Sequence, residues 1–335
     1  MDNYTSSPVY EDYEILIWDG PKYDDSYVSN VICDKYDPAV LRTQLIPGLY
    51  FTIFVVCLLS NVLMAFILIK HKGLRHMENI YFLNLAISNL LFSLTLPFWA
   101  SAASRGGPLA DPMCTLLLSI YVIGLYSEVC FMLLLVAHRY LVFSPASSIP
   151  WATRPVPCGI FTSILGWTVA VLVTLPESTI YRLQKEGREN ECSQSRPHLL
   201  PAEETFWKRF LTLKVNILGF LFPLFIFLFC SVRMRKVLRF RSSRDDLSKL
   251  VFAILAVFLV MWAPYLIAIF LLTFKEAFSL GDCQSRYSLD QGVQITEIIA
   301  ATHCCINPLL HALFSQTCRK GLCHLLCLSH SSPVP

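Results

Sequence analysis

The chain has 335 residues, of which 55% are hydrophobic and 15% are charged, and its formal net charge is +3. So few charges cannot solvate the surface of a water-soluble protein of this length, and no feature of the sequence points to nucleic-acid binding. The composition therefore predicts an integral membrane protein.

Seven apolar runs follow a polar amino-terminal segment. Each run is near or above the ~20 residues that a helix needs to cross the ~30 Å hydrocarbon core of a bilayer. In chain order the predicted spans are 45–70, 79–103, 112–143, 157–176, 206–235, 248–274 and 289–313. The sequence thus predicts an extracellular segment (1–43), an all-α bundle of seven transmembrane helices (44–314) and a short cytoplasmic tail (315–335).

Basic residues predict which ends of the spans face the cytosol. They follow the first, fifth and seventh spans, as Lys70, Lys72, Arg75, Arg233, Arg235, Lys236, Arg239, Arg241, Arg244, Arg319 and Lys320. The amino terminus of this multi-pass plasma-membrane protein is therefore expected outside the cell, where Asn3 of Asn3-Tyr4-Thr5 is a glycosylation acceptor. The first ~40 residues are polar and acidic, so we expect no cleavable signal peptide.

The segment before the first span carries many carboxylates and few basic side chains. The acidic residues are Asp2, Glu11, Asp12, Glu14, Asp19, Asp24, Asp25, Asp34 and Asp37, and the basic ones are Lys22, Lys35 and Arg42. Such a segment would steer a basic protein ligand toward the outer face. A disordered, merely solvated tail is the alternative, and both descriptions hold if the segment folds onto a partner.

Four cysteines fall in the amino-terminal segment and the three outer loops, on the oxidising side of the membrane. They are Cys33, Cys114, Cys192 and Cys283. Four cysteines allow three pairings, and their spacing does not choose among them. Cys304 and Cys305 beside His303 suggest a metal site at first sight, but adjacent cysteines on one helix do not easily face one ion, so we favour packing and predict no metal.

Residues at characteristic places in the spans resemble those of rhodopsin-like receptors, namely Asn61, Trp167, Pro223, Trp262-Ala263-Pro264 and Asn307-Pro308. Within that class the chain resembles chemokine receptors through Thr95-Leu96-Pro97 and Thr302-His303-Cys304-Cys305-Ile306-Asn307-Pro308. Cys33-Asp34-Lys35-Tyr36-Asp37, Gly124-Leu125-Tyr126-Ser127-Glu128 and Met261-Trp262-Ala263-Pro264-Tyr265 resemble an atypical, chemerin-binding branch. The resemblance implies a rhodopsin-like seven-helix bundle with a short amphipathic eighth helix.

This resemblance implies a ligand site at the outer face. It implies disulfides Cys114–Cys192 and Cys33–Cys283, likens Tyr10 and Tyr13 to the sulfated tyrosines of chemokine receptors, and matches a set of pocket positions, which are Tyr50, Trp99, Tyr121, Tyr265 and Glu297. Because lipid does not tolerate a carboxylate, Glu297 should face inward, where it could hold a cationic ligand group. Ordinary packing is the alternative for the four aromatic residues.

The inner part of the bundle departs from the family at four positions, which are His138, Asn89, Ser231 and His311. His138 stands where relatives carry the Asp whose carboxylate holds the next residue, an Arg, by a charge-assisted hydrogen bond. Asn89 replaces the Asp that binds sodium in relatives, while Ser231 and His311 replace two tyrosines. The retained switch residues are Arg139, Trp262, Asn307 and Pro308. The combined changes predict a receptor that does not signal through G proteins, although Arg139 alone would leave signalling open.

Glu128 introduces a carboxylate into the middle of span three, where relatives carry a small residue. One hypothesis is that the carboxylate lost at Asn89 has moved to Glu128, with Asn89 and His303 as its hydrogen-bond partners in a static lock. The alternative is a protonated Glu128 satisfied by a single hydrogen bond. The sequence leaves both open.

The resemblance implies a receptor that binds chemerin and presents it to chemerin's signalling receptor on neighbouring cells, or internalises it. It also implies C-C motif chemokine 19 as a second ligand, a heterodimer with another chemokine receptor as a further partner, and no cofactor. An ordinary G-protein-coupled chemokine receptor is the alternative. A transporter or intramembrane enzyme is disfavoured, because the sequence has no inverted halves, catalytic Asp pair or metal triad.

Overall fold

The computed structural model describes residues 45–105, 113–143, 155–185, 205–240 and 246–314. Their regular structure is helical, with α-helices at Ile46–Ile67, Met77–Arg105, Met113–Phe143, Pro155–Lys185, Thr205–Asn216, Phe222–Phe240, Asp246–Thr273, Cys283–Ala301 and His303–Phe314. Two π-helical turns, Leu68–Lys72 and Ile217–Leu221, directly continue the α-helices that end at Ile67 and Asn216. The predictions for Asn3, Tyr10, Tyr13, Cys33, Cys192 and the eighth helix lie outside the described residues.

Among the described residues, seven helical stretches are long and apolar enough to cross a membrane, which confirms the predicted seven-helix bundle. Spans one to seven are Ile46–Lys70, Met77–Ser101, Met113–Val142, Val156–Glu177, Phe206–Arg233, Asp246–Thr273 and Gln284–Phe314. The seventh span begins earlier than predicted because a polar cap starts its helix before the apolar run. The Ser285 backbone N–H donates to Asp282 Oδ2 at 2.9 Å, and this bond lowers the pKa of the Asp282 carboxyl.

The bundle is apolar on the outside and polar within. Large apolar side chains such as Val260, Phe161 and Leu313 are more than two thirds exposed on its surface. Polar side chains are fully buried instead, including Asn61, Ser88, Asn89, Ser93, Ser127, Glu128 and His303. This inversion suits a hydrocarbon surround and concentrates the chemistry of the molecule along its axis.

Pro308 shows how the interior satisfies its backbone. Proline has no N–H to donate to the carbonyl four residues earlier, which is that of Cys304. Asn61 of span one donates its side-chain Nδ2 to that Cys304 carbonyl at 3.0 Å. Asn61 and Pro308 therefore act together, and they fix span seven against span one.

Gly124 sets the distance between spans two and three. A Cβ atom at Gly124 would lie 2.8 Å from the backbone nitrogen of Phe92, which is closer than side chains tolerate. The missing side chain lets the two backbones approach, and this brings Glu128, one turn further along span three, close to the bundle axis.

Candidate functional site

A polar cluster centred on Glu128 joins spans three and seven in the middle of the bundle. Glu128 Oε2 lies 2.5 Å from His303 Nε2, and Asn307 Nδ2 donates to Glu128 Oε1 at 2.9 Å. All three side chains are buried, with Glu128 and His303 fully so. Each carboxylate oxygen therefore has a partner, as a buried carboxylate requires.

The proton positions in this cluster follow from the partners of His303. Its Nδ1 lies 2.5 Å from the Ala300 carbonyl, which can only accept, so Nδ1 carries a hydrogen. One further proton then lies between Nε2 and Glu128 Oε2, giving either an ion pair or a neutral pair. In both cases the pair has no net charge and has no need of an added cation.

The cluster corrects part of the Glu128 hypothesis. His303 is a partner as predicted, but Asn89 is not, since its Nδ2 donates to Asn61 Oδ1 at 3.3 Å. Asn307 takes the place that the hypothesis gave to Asn89. The alternative of a single hydrogen bond to Glu128 does not hold either, because both of its oxygens are engaged.

Trp262 of span six packs directly against this cluster. Its ring centroid lies 5.4 Å from that of His303, and it also contacts Phe258 at 5.8 Å and Phe92 at 6.3 Å. Phe92 and Phe258 in turn pack edge-on against His303. Trp262 therefore packs against a ring that has a polar partner at both of its nitrogens, which holds that ring in place.

Arg139, near the end of span three, is buried and pairs with a carboxylate from a different span. Its Nη2 donates to Glu78 Oε1 at 2.6 Å, and Glu78 lies in the first turn of span two. His138 packs edge-on against Tyr81 at 6.3 Å between ring centroids, and its Nδ1 has no hydrogen-bond partner among the described residues. Glu78 was not predicted from the sequence, because acidic residues are common in the first turn of a helix.

The two positions without tyrosine occupy different environments. His311 is buried and packs edge-on against Phe82, with 4.8 Å between ring centroids. Ser231 is half-buried on span five. Neither residue has the phenolic hydroxyl of the tyrosine that relatives carry there. The interior of this bundle therefore lacks two hydrogen-bonding groups that the relatives have.

At the other end of the bundle, four of the five predicted pocket residues line one small cavity. They are Tyr50, Trp99, Tyr121 and Glu297, joined by Leu96 and Ala301. The cavity measures about 10 Å³, which is room for about one water molecule. Trp99 Nε1 has no hydrogen-bond partner among the described residues. Tyr265 does not line this cavity and instead packs against Trp262 at 5.9 Å.

Cysteines at two places bear on the predictions. Cys114 is disulfide-bonded, while Cys192 lies outside the described residues and the side chain of Cys283 is not described.

The sulfurs of Cys57, Cys304 and Cys305 lie within 4.8 Å of one another, so adjacent cysteines of one helix do face a common point, contrary to our expectation. Each of these thiols also lies within bonding reach of a backbone carbonyl, of Asn89, Ala301 and Ile53 respectively, as in a packed core.

A buried ion pair that the sequence analysis missed joins spans four and five. Lys214 Nζ contacts Glu177 Oε2 and donates to the Val173 carbonyl at 2.5 Å, and its ammonium lies 5.1 Å from the Tyr126 ring centroid. Lys214 is an ionisable residue inside a predicted apolar span, which is a signal that could have found it, whereas Glu177 directly follows the predicted fourth span.

Comparison with known proteins places this architecture in context. The model of the 7 transmembrane receptor (rhodopsin family) matches residues 60–311. C-C chemokine receptor-like 2 of Homo sapiens is 53% identical over 334 residues, covering 100% of this chain and 94% of the human protein. Chemokine C-C motif receptor-like 2 of Bos taurus is 53% identical over 336 residues, covering 100% of this chain and 95% of the bovine protein. C-C chemokine receptor-like 2 of Mus musculus is 43% identical over 317 residues, covering 94% of this chain and 86% of the mouse protein.

Proposed function

Because this chain belongs to the rhodopsin family of seven-transmembrane receptors and is a chemokine-type receptor of the plasma membrane, we propose that it is an atypical chemoattractant receptor. With its amino terminus outside the cell, it binds chemerin and, as a second ligand, C-C motif chemokine 19. It presents the ligand to chemerin's signalling receptor on neighbouring cells, or internalises it, without conventional G-protein signalling.

The observation that carries this proposal is the closed polar cluster on the bundle axis. Glu128 ties span three to span seven through His303 and Asn307, and His303 supports Trp262. A carboxylate whose two oxygens are both engaged leaves little for a sodium ion to coordinate, because hard cations need several oxygen ligands. The cluster is therefore a fixed contact rather than an ion site that empties and fills.

The two missing tyrosine hydroxyls also favour the closed arrangement of the bundle. Opening a bundle exposes buried polar groups that need new partners, and the family uses tyrosines to supply them. With Ser231 and His311 at those two positions, an open arrangement lacks both phenolic hydroxyls. The closed arrangement is then favoured at both the centre and the inner end of the bundle.

Two features of the outer face support ligand capture, namely the acidic amino-terminal segment and Glu297 at the cavity. The cavity beside Glu297 has room for about one water molecule, so a ligand group would reach this carboxylate only after the outer ends of the spans move apart. The acidic amino-terminal segment, by contrast, can attract a basic protein before any such movement. Glu297 at the cavity would hold a cationic group of the ligand once the outer ends open.

An ordinary signalling chemokine receptor is the second candidate, and specific residues favour it. Arg139, Trp262 and Asn307-Pro308 are all retained, and Trp262 occupies the core of the bundle. These residues are sufficient for coupling only if the interior can open.

A binding and signalling assay on the same cells distinguishes the candidates. Cells expressing the chain receive labelled chemerin or C-C motif chemokine 19, and surface binding and intracellular calcium are recorded together. A signalling chemokine receptor in the same cells serves as the positive control for calcium. We expect saturable binding with no calcium rise, and calcium release in neighbouring cells that carry chemerin's signalling receptor. Calcium release in the expressing cells themselves, at saturating ligand, would favour the second candidate.

A further inference from the structure

Arg139 lacks the usual anion on its own helix but is not left without a carboxylate. His138 occupies the preceding position, and its ring packs on Tyr81 rather than engaging the guanidinium. The carboxylate comes from Glu78, which is 61 residues earlier in the chain and on a neighbouring span. We propose that Glu78 is the positioning residue that replaces the missing Asp and holds Arg139 in a closed arrangement.

Burial makes this contact strong. The Arg139 side chain is 7% exposed and the Glu78 side chain is 19% exposed, so water screens the pair weakly. The separation of 2.6 Å between Nη2 and Oε1 is that of a charge-assisted hydrogen bond. Exposed surface pairs lose most of their energy to solvent, and this pair does not resemble them.

The change of helix alters what the contact restrains. An anion on span three travels with Arg139 when that span moves, so the bond restrains only the side chain. An anion on span two ties two helices together, so releasing Arg139 requires either a break of the pair or a joint movement of both spans. The relocated anion therefore restrains backbone as well as side chain.

This inference rests on the proposed non-signalling role and deepens it, because it names the residue that keeps Arg139 away from a cytoplasmic partner. Its test requires no ligand. Purified full-length protein carries spin labels at the inner ends of spans three and six, and both the distance distribution and the midpoint of thermal inactivation are measured.

Glu78→Gln removes the charge and keeps the shape. We expect the midpoint to fall by about 5 °C or more, since a buried charge loses its partner, and the distance distribution to broaden toward longer values. His138→Asp added to Glu78→Gln restores an anion beside Arg139 from its own helix. The double variant should regain most of the lost thermal stability and narrow the distance distribution again. A purely structural role for Glu78 would not produce this recovery.

Two variants control the result. Asp246→Asn removes a solvent-exposed pair with Lys249, 3.2 Å long and at the start of span six, and should change neither measurement. If Glu78→Gln alone fails to fold, Glu78→Gln combined with Arg139→Gln removes both charges and should recover expression. The inference is wrong if Glu78→Gln matches the wild type, if His138→Asp restores nothing, or if the double neutral variant is no better than Glu78→Gln.

The outcomes separate this inference from the proposed function. Calcium release by the wild-type chain would overturn the non-signalling role and leave the spin-label result intact. A failed rescue by His138→Asp would overturn the role of Glu78 and leave ligand binding without calcium intact.

Discussion

Glu128→Gln tests whether the central cluster is an ionic lock. The substitution keeps the shape of the side chain and replaces one carboxylate oxygen with an NH₂ group. The amide oxygen can still accept from Asn307, but the NH₂ group then faces His303 Nε2. If that nitrogen carries a proton, two donors meet and the imidazolium loses its counter-charge.

The structure sets the expected size of the effect. The contact between Glu128 Oε2 and His303 Nε2 is 2.5 Å, which is short enough for a charge-assisted bond, and an ionic lock places the shared proton on His303. Removing one partner of a buried ion pair costs about 3–5 kcal/mol. At about 2 °C for each kcal/mol in a large chain, the midpoint should fall by about 6–10 °C.

Thermal inactivation of the purified receptor measures this directly, in sodium chloride and in potassium chloride at equal ionic strength. The wild type should have the same midpoint in both salts, because Glu128 is already paired and Asn89 carries no charge. Glu276→Gln is the control, since its pair with Arg209 is 3.7 Å long and exposed, and such pairs contribute about 1 kcal/mol or less.

An ionic lock is refuted if Glu128→Gln leaves both the midpoint and its sodium dependence unchanged. In that event the pair is neutral, because a Gln NH₂ group can donate to an unprotonated Nε2 without loss. A large sodium stabilisation of the wild type would also refute the lock, since each carboxylate oxygen of Glu128 already has a partner.

Two further predictions address the packing and the outer cavity. Gly124→Ala should destabilise the receptor by about 1–3 kcal/mol and lower the midpoint of thermal inactivation, because the new methyl group meets the Phe92 backbone. Gly219→Ala is the control. No atom lies within 4 Å of its Cβ position, so this variant should not lower the midpoint. Glu297→Gln should weaken chemerin binding about tenfold or more, which is the effect of losing one charge-assisted hydrogen bond. Asp290→Asn, on an exposed face of the same helix, should leave the affinity for chemerin unchanged. Titration with labelled chemerin measures both affinities.

Much of the candidate site could be predicted from single residues. A carboxylate inside an apolar span has to face the interior, and Glu297, which the family resemblance singled out, is buried as this reasoning predicted. The pairing of Glu128 with His303 was also predicted. The choice of Asn89 as its second partner was wrong, because spacing along separate helices does not give the rotation of one helix against another.

The sequence by itself determined the membrane environment, the seven spans and the loss of the family's Asp and tyrosine residues. The first two follow from the length and composition of the apolar runs, which are local properties, and the third follows from the resemblance to the family. Only the tertiary structure decided that Asn307 completes the Glu128 cluster, that Lys214 meets Glu177, and that Glu78 holds Arg139. Each of these pairs joins residues 37 or more positions apart on different helices, so helix packing at contacts such as Gly124 fixes which side chains meet.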